Sequence, residues 1–400
     1  MPEPIEFIDS TLRDGEQAPG VWFTPEEKLQ LARLLDRTGI DVLDAGFPAS
    51  SAEDVEVIQE LSAAGLRARV AASARPTKVD VAAAERARAQ EVFVFHPVSD
   101  VRLRGLHIDR SAALARIQAG VEEARGRGLV VNVVAEDACR ADVHFLRLLR
   151  ERLESSTVQR LVICDTIGAA TPDTIADLVR EVGRGPGLPL SLHCHNDFGL
   201  ATANTLAGVV AGATSVSGTV NGLGERAGNA DLAEVAAALT HLLGRPHHID
   251  PLQLVELSAA VELFSGVHVS PLKPVVGSNV YRHESGIHVH GMLHDPCSYE
   301  HLPAAWVGCS SCIVLGKHSG VSSVSHVLKS RDLPFSSSLA ERLLAVVKQR
   351  STSRSKAGHA SAYRETRRHR QRLLGGLPER VLVELFDSIA NRSEEPWLEP

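Results

Sequence analysis

Two histidines one residue apart, His193 and His195, stand at the end of the strand-like run 190–194. Residues i and i+2 of a strand point to one face, so both imidazoles can serve one metal ion. A hydrogen-bonded histidine pair is the plainer reading of His-x-His by itself. A carboxylate, Asp14, follows another strand-like run, and with it the metal reading is preferred. Two imidazoles and one carboxylate leave coordination positions open, as a catalytic centre needs. Zn2+, Mn2+, Mg2+ and Fe2+ all accept such a set. Arg13, beside Asp14, would stabilise negative charge developing on oxygen, or simply pair with a nearby acid. Thr166 would donate to a substrate carboxylate, or cap the helix expected near Pro172. Glu136 would assist proton transfer, or be an ordinary strand-end acid.

These residues fall at the ends of regularly spaced elements. Strand-like runs occupy 5–9, 42–45, 68–72, 91–95, 130–135, 161–164, 190–194 and 215–220. Each precedes a stretch with helical spacing, at 24–38, 51–64, 77–89, 110–127, 140–154, 172–184, 199–212 and 231–243. Thr24, Pro25 and Gly39 supply start and stop signals for the first of these. Eight βα units imply a (β/α)8 TIM barrel, with its chemistry at the C-terminal ends of the strands. An open doubly wound sheet is the alternative. We expect the catalytic barrel over 1–247, a smaller subdomain over 248–330 and a mainly helical C-terminal region over 331–400. Segment 348–372 carries nine Lys and Arg against one acid, which reads as a solvated surface or tail rather than a nucleic-acid patch.

Composition sets the limits. The 400 residues are 44% hydrophobic and 23% charged, an ordinary globular balance. A net charge of −7 argues against a general nucleic-acid binder. Six cysteines are too few for a disulfide scaffold, and no apolar stretch approaches the length of a membrane span. The first nine residues show no signal-peptide pattern, so a cytoplasmic protein with reduced thiols is expected. Cys309-x-x-Cys312 lacks the second pair of a zinc ribbon. The His288, His290 and His294 cluster reads as surface or subunit contact.

Several motifs carry a resemblance. Leu12-Arg13-Asp14-Gly15-Glu16-Gln17 with Lys28, the segment LSLHCHNDFGLATA (190–203), NGLGERAGN (221–229), HESGIHV (283–289) and GKHSG (316–320) occur in order. Together they resemble the homocitrate and 2-isopropylmalate synthases over about residues 5–330. The resemblance implies a metal-dependent barrel that condenses acetyl-CoA with a 2-oxo acid. It implies metal ligation by Asp14, His193 and His195, with Asn229 in or near the coordination shell. It assigns Arg13 to polarising the carbonyl, Thr166 to the oxo-acid carboxylate, and Glu136 to a catalytic acid position. Gln17 is placed with the substrate-binding residues. His283 and Tyr299 match residues that serve the partner subunit's site, which implies a homodimer.

The choice of 2-oxo acid is narrower ground. Residues 44–51 look like the isopropylmalate synthases, and 283–299 more like the homocitrate synthases. Only about 80 residues follow Gly320, too few for the regulatory domain usual in isopropylmalate synthases. A homocitrate-synthase-like enzyme acting on 2-oxoglutarate is therefore the expectation. His96, at the end of the fourth strand, departs from that pattern. With Arg102 or Arg104 it would bind a more highly charged arm, such as that of phosphonopyruvate, in a phosphonomethylmalate-type synthase of antibiotic biosynthesis. A plain hydrogen bond in the barrel rim is the alternative. A C–C lyase on the same barrel is the closest rival reading.

Overall fold

A computed structural model describes residues 3–390, apart from 155, 354, 355, 357 and 374–378. Eight parallel strands form a closed barrel in sequence order. They are β1 (Glu6–Asp9), β2 (Val42–Asp44), β3 (Arg69–Ala74), β4 (Glu91–Pro97), β5 (Val130–Glu136), β6 (Leu161–Asp165), β7 (Leu190–Cys194) and β8 (Ser215–Gly218). The closing pair sets Asp9 against Gly218. Each expected strand is present within a few residues of its expected bounds, and each is followed by its expected helix.

Local signals explain the boundaries. Helix Pro25–Thr38 begins in a capping box, with Thr24 and Glu27 exchanging hydrogen bonds. It ends at Gly39, whose φ of 92° suits glycine. A Cβ at Gly39 would also lie 2.0 Å from His248 O, where the chain leaves the last barrel helix. Helix Pro172–Val182 starts in the same manner from Thr171.

Two apolar layers hold the barrel. Ile8, Val42, Ala71, Phe93, Val162 and Cys164 pack inside it. A larger core lies between the strands and the surrounding helices, and includes Leu31, Val94, Ile117 and Leu192. The N-terminal mouth is closed by charge: Glu6 pairs with Arg69 and Arg160, and Arg160 Nε donates to Asn132 Oδ1 at 2.9 Å. The open mouth is therefore the C-terminal one.

Beyond the barrel, helix Leu254–Ser265 buries Leu254, Leu257 and Val261 in the barrel's outer core. A two-stranded parallel sheet follows, β9 (Arg282–His283) with β10 (Cys312–Ile313). Helices Val321–Lys329, Ser337–Thr352, His359–Leu373 and Glu379–Ala390 complete the described chain. Within the basic segment, Lys348, Arg350, Lys356, Arg364, Arg367 and Arg368 are exposed, while Arg354 lies outside the described residues. No described helix is long and apolar enough to cross a membrane.

Candidate active site

The strand ends surround a cavity of about 480 Å³ at the C-terminal mouth. One wall holds the Asp14, His193 and His195 cluster. One ligand atom from each lies within 4.8 Å of the others, and all three residues are buried. Among the described residues this is the one such group of three.

Local structure aims each member. After β1 the chain turns tightly: the N–H groups of Arg13, Asp14 and Gly15 all donate to Ser10 O. That turn lifts Asp14 over the barrel mouth. His193, on β7, and His195, just beyond its end, both face the cavity. Ser217 Oγ, on β8, lies 3.0 Å from His193 Nδ1, which leaves Nε2 facing Asp14. Asp14 Oδ2 is 3.5 Å from His193 Nε2 and 3.8 Å from His195 Nε2. The second distance is too long for a hydrogen bond, and the first marginal. Donor atoms spaced so widely suit a common ion better than one another.

Electrostatics agree with that reading. Burial alone would raise the Asp14 carboxyl, but the Arg13 guanidinium and His193 outweigh it and hold it well below the usual carboxylate range. Burial and the neighbouring His193 push His195 down to about 4, so its imidazole is neutral at pH 7, the form that ligates metals. Among the described residues, His195 Nδ1 and Asn229 Oδ1 have no hydrogen-bond partner. Asn229 lies behind Asp14 and donates to Asp14 Oδ1 at 2.9 Å. A Cβ at Gly224 would fall 2.1 Å from Asn229 Nδ2 and 2.8 Å from Asp14 Oδ1. Glycine is thus what lets the 221–229 loop close over the cluster. One carboxylate, two imidazoles and an adjacent unpaired amide oxygen fit a divalent cation.

Arg13 bridges Asp14 and Asp44, and Asp44 accepts from Ser10 and Ser73. Thr166 Oγ1 accepts from the backbone N–H of Asp137 at 2.8 Å, and Arg226 donates to Thr166 O at 2.7 Å. Glu136 pairs with Arg102. Burial raises the Glu136 carboxyl, Arg102 opposes this and Asp137 reinforces it, so the net direction is upward. Arg13, Asp14, Gln17, Glu136, Thr166, His193 and His195 all line the cavity. Asn229 stands just behind it.

His96 does not line it. On β4, Phe93 and Phe95 face the cavity, so His96 points outward and is buried, with Nδ1 2.7 Å from Pro97 O. The strand's two-residue period turns it away from the cavity. The plain rim hydrogen bond is the arrangement found. His283 and Tyr299 are also absent from the cavity walls. His283 Nε2 lies 2.8 Å from Glu300 Oε1, and Tyr299 stacks on His288. Asp44, Glu225 and Arg226 line the site without having been singled out in the sequence. For Glu225 and Arg226 the signal was there, inside the Gly-rich loop after β8. Arg102 reaches the cavity from helix Asp100–Gly105, which was not expected.

Comparison with known proteins places this geometry. Residues 4–261 match the family model described as HMGL-like, and 275–355 match "Homocitrate synthase post-HMGL domain-like". The chain is 40% identical to a homocitrate synthase of Methanopyrus kandleri over 87% of this chain and 88% of that protein. It is 41% identical to a protein of Ignicoccus hospitalis named "Probable 2-isopropylmalate synthase", over 87% and 88% respectively. It is 41% identical to an (R)-citramalate synthase of Methanocaldococcus jannaschii over 79% of this chain and 65% of that protein. The crystal structure of Bacillus subtilis HMG-CoA lyase superposes with a TM-score of 0.59, at 21% identity, over 66% of this chain and 95% of that one. At that identity the likeness concerns the fold.

Proposed function

The chain belongs to the HMGL-like family and carries the second domain typical of homocitrate synthases, and on that premise we propose an acetyl-CoA-dependent transferase acting on a 2-oxo acid. The reaction joins the acetyl methyl carbon to the ketone carbon and hydrolyses the thioester, releasing CoA and a 2-substituted malate. The observation that carries this reading is the buried Asp14, His193 and His195 cluster, with Arg13 paired to Asp14, at the barrel mouth.

A divalent ion held by Asp14, His193 and His195 would supply Lewis-acid polarisation of the ketone. The chain's own residues do the rest. Arg13, locked by Asp14 and Asp44, places positive charge beside the oxygen that becomes negative. Thr166 has spent an acceptor site on Asp137 N–H, so its hydroxyl proton is available to the substrate carboxylate. Glu136, half-buried and with its carboxyl shifted upward by burial, is suited to holding a proton in the cavity. His283 and Tyr299 complete the site of a second copy in this reading, as members of a homodimer.

2-Oxoglutarate is the preferred substrate of this proposal, because a cation, Arg102, stands in the cavity wall across from the cluster. The product is then homocitrate. A second reading, 2-isopropylmalate synthesis, draws on the apolar wall of Phe47, Phe93 and Phe95, which suits a branched aliphatic arm. The phosphonopyruvate reading loses His96, which is turned away, and keeps Arg102.

Thiol release from acetyl-CoA tests the class. The panel holds 2-oxoglutarate, 2-oxoisovalerate, pyruvate, oxaloacetate and phosphonopyruvate, with Mn2+ or Zn2+ present. Chelator-sensitive release with one acid supports condensation and identifies the substrate. Silence across the panel in folded, metal-loaded protein rejects it.

A further inference from the structure

Three guanidinium groups line the cavity, and they are held very differently. Arg13 bridges two carboxylates. Arg226 holds Asp197 through both Nε and Nη2 and also donates to Thr166 O. Arg102 makes one side-chain bond among the described residues, from Nη2 to Glu136. Its side chain is 45% exposed, and its other N–H donors are uncommitted to protein groups. Of the three, it alone has donors to offer without dismantling a network.

The barrel order decides what Arg102 faces. The metal-type cluster stands on β1 and β7, whereas Arg102 and Glu136 come from the ends of β4 and β5, across the closed sheet. In the condensing-enzyme reading, a 2-oxo acid at the cluster would reach Arg102 by extending its remaining arm toward β4 and β5. Phe93, Phe95 and Val134 flank that path.

We propose that Arg102 is the specificity-determining residue for this arm, and that it works by exchange: its guanidinium leaves Glu136 for an anionic group on the arm and stays on Glu136 when the arm is apolar. The inference rests on the condensing-enzyme reading above. The exchange is physically easy. A partly exposed, single-bonded ion pair is held weakly. An incoming carboxylate that loses water must be paired, and the planar guanidinium offers it two parallel donors. Glu136 is then released from its cation only when the right substrate arrives. Arm recognition and the freedom of the proposed proton-handling acid become one event.

The test compares 2-oxoglutarate with 2-oxoisovalerate in wild type, R102M, R102K and E136Q. Equilibrium binding is read by calorimetry without acetyl-CoA, and kcat/KM with it. R102M is expected to lower the ratio of kcat/KM for 2-oxoglutarate over 2-oxoisovalerate by about ten- to a hundredfold, mostly through KM of the dianion. R102K should recover part of the loss. E136Q should bind 2-oxoglutarate several-fold more tightly than wild type, since the competing carboxylate is gone, and leave 2-oxoisovalerate binding unchanged. An R102M ratio within twofold of wild type overturns the proposal, as does an E136Q that binds the dianion no better. If no 2-oxo acid is turned over by wild type, the condensing reading fails by itself, and the binding measurements still decide the role of Arg102.

Discussion

The backbone N–H of Asp137 donates to Thr166 Oγ1 at 2.8 Å. Asp137 can aim that N–H because it sits in the left-handed region, at φ 62°, where a non-glycine residue is uncommon. Its carboxylate is held by Arg140 and Ser99. The end of β5 thus orients a hydroxyl at the end of β6. T166V should raise KM for the 2-oxo acid by about tenfold or more, by removing a charge-assisted hydrogen bond. T166S should stay close to wild type. Equal loss in both variants would mean that packing of the methyl group, not the hydroxyl, is what matters.

Metal content follows from the donor set. Purified protein loaded with Mn2+ or Zn2+ should hold one tightly bound ion per chain, measured by elemental analysis after desalting. H193A and H195A should each lose most of it while keeping the circular dichroism of the barrel. Full retention in either variant would remove that histidine from the ligand set.

Gly224 gives a sharper steric test. G224A places a methyl group 2.1 Å from Asn229 Nδ2 and 2.8 Å from Asp14 Oδ1, so the loop or the carboxylate must shift. Metal affinity should fall at least tenfold, since disturbing the groups that orient a metal ligand commonly costs that much. G126A is the control: its Cβ meets nothing within 4 Å and it is the last residue of a helix on the barrel's outside, so metal affinity should stay at the wild-type value.

Asp9 makes stability depend on pH. It is fully buried at the end of β1, and burial pushes its pKa to about 7, against the opposing effect of its bonds from Thr11. Unfolded, it titrates near the ordinary value of 3.8. Between these values the folded chain binds a proton that the unfolded chain does not, so this group favours folding at low pH. Its contribution is lost as pH rises from about 4 through 7. The melting temperature of wild type minus that of D9N should therefore decline across this window. A flat difference would show that Asp9 titrates normally.

The pairing of His283 with its target can be read by mixing subunits. D14N and H283A homodimers should both be inactive in the proposed arrangement. Subunit exchange between them should restore about a quarter of wild-type activity per site, since half of the dimers are mixed and each mixed dimer has one intact site. No recovery after verified exchange would place His283 in its own subunit's site or outside catalysis.

Much of this was written along the chain. Eight alternating runs with capping and stop signals are local features, so the barrel and its element order could be read without coordinates. His193 and His195 share a face because a strand repeats every two residues, and that holds wherever the strand lies. The phase of β4 was a different matter. Val92, Phe93, Val94 and Phe95 are all apolar, because a parallel barrel strand is covered on both faces. Nothing in the run tells which alternate set faces inward, so His96 looked as eligible as Phe95. Closure of the sheet settled it. Closure also brought Asp14 to histidines nearly two hundred residues away, turned helix Asp100–Gly105 so that Arg102 met Glu136, and set that pair across the mouth from the cluster. Residue types and periods are properties of a segment. Which segments become neighbours, and which charge pairs with which, depends on the register of strands far apart in the chain.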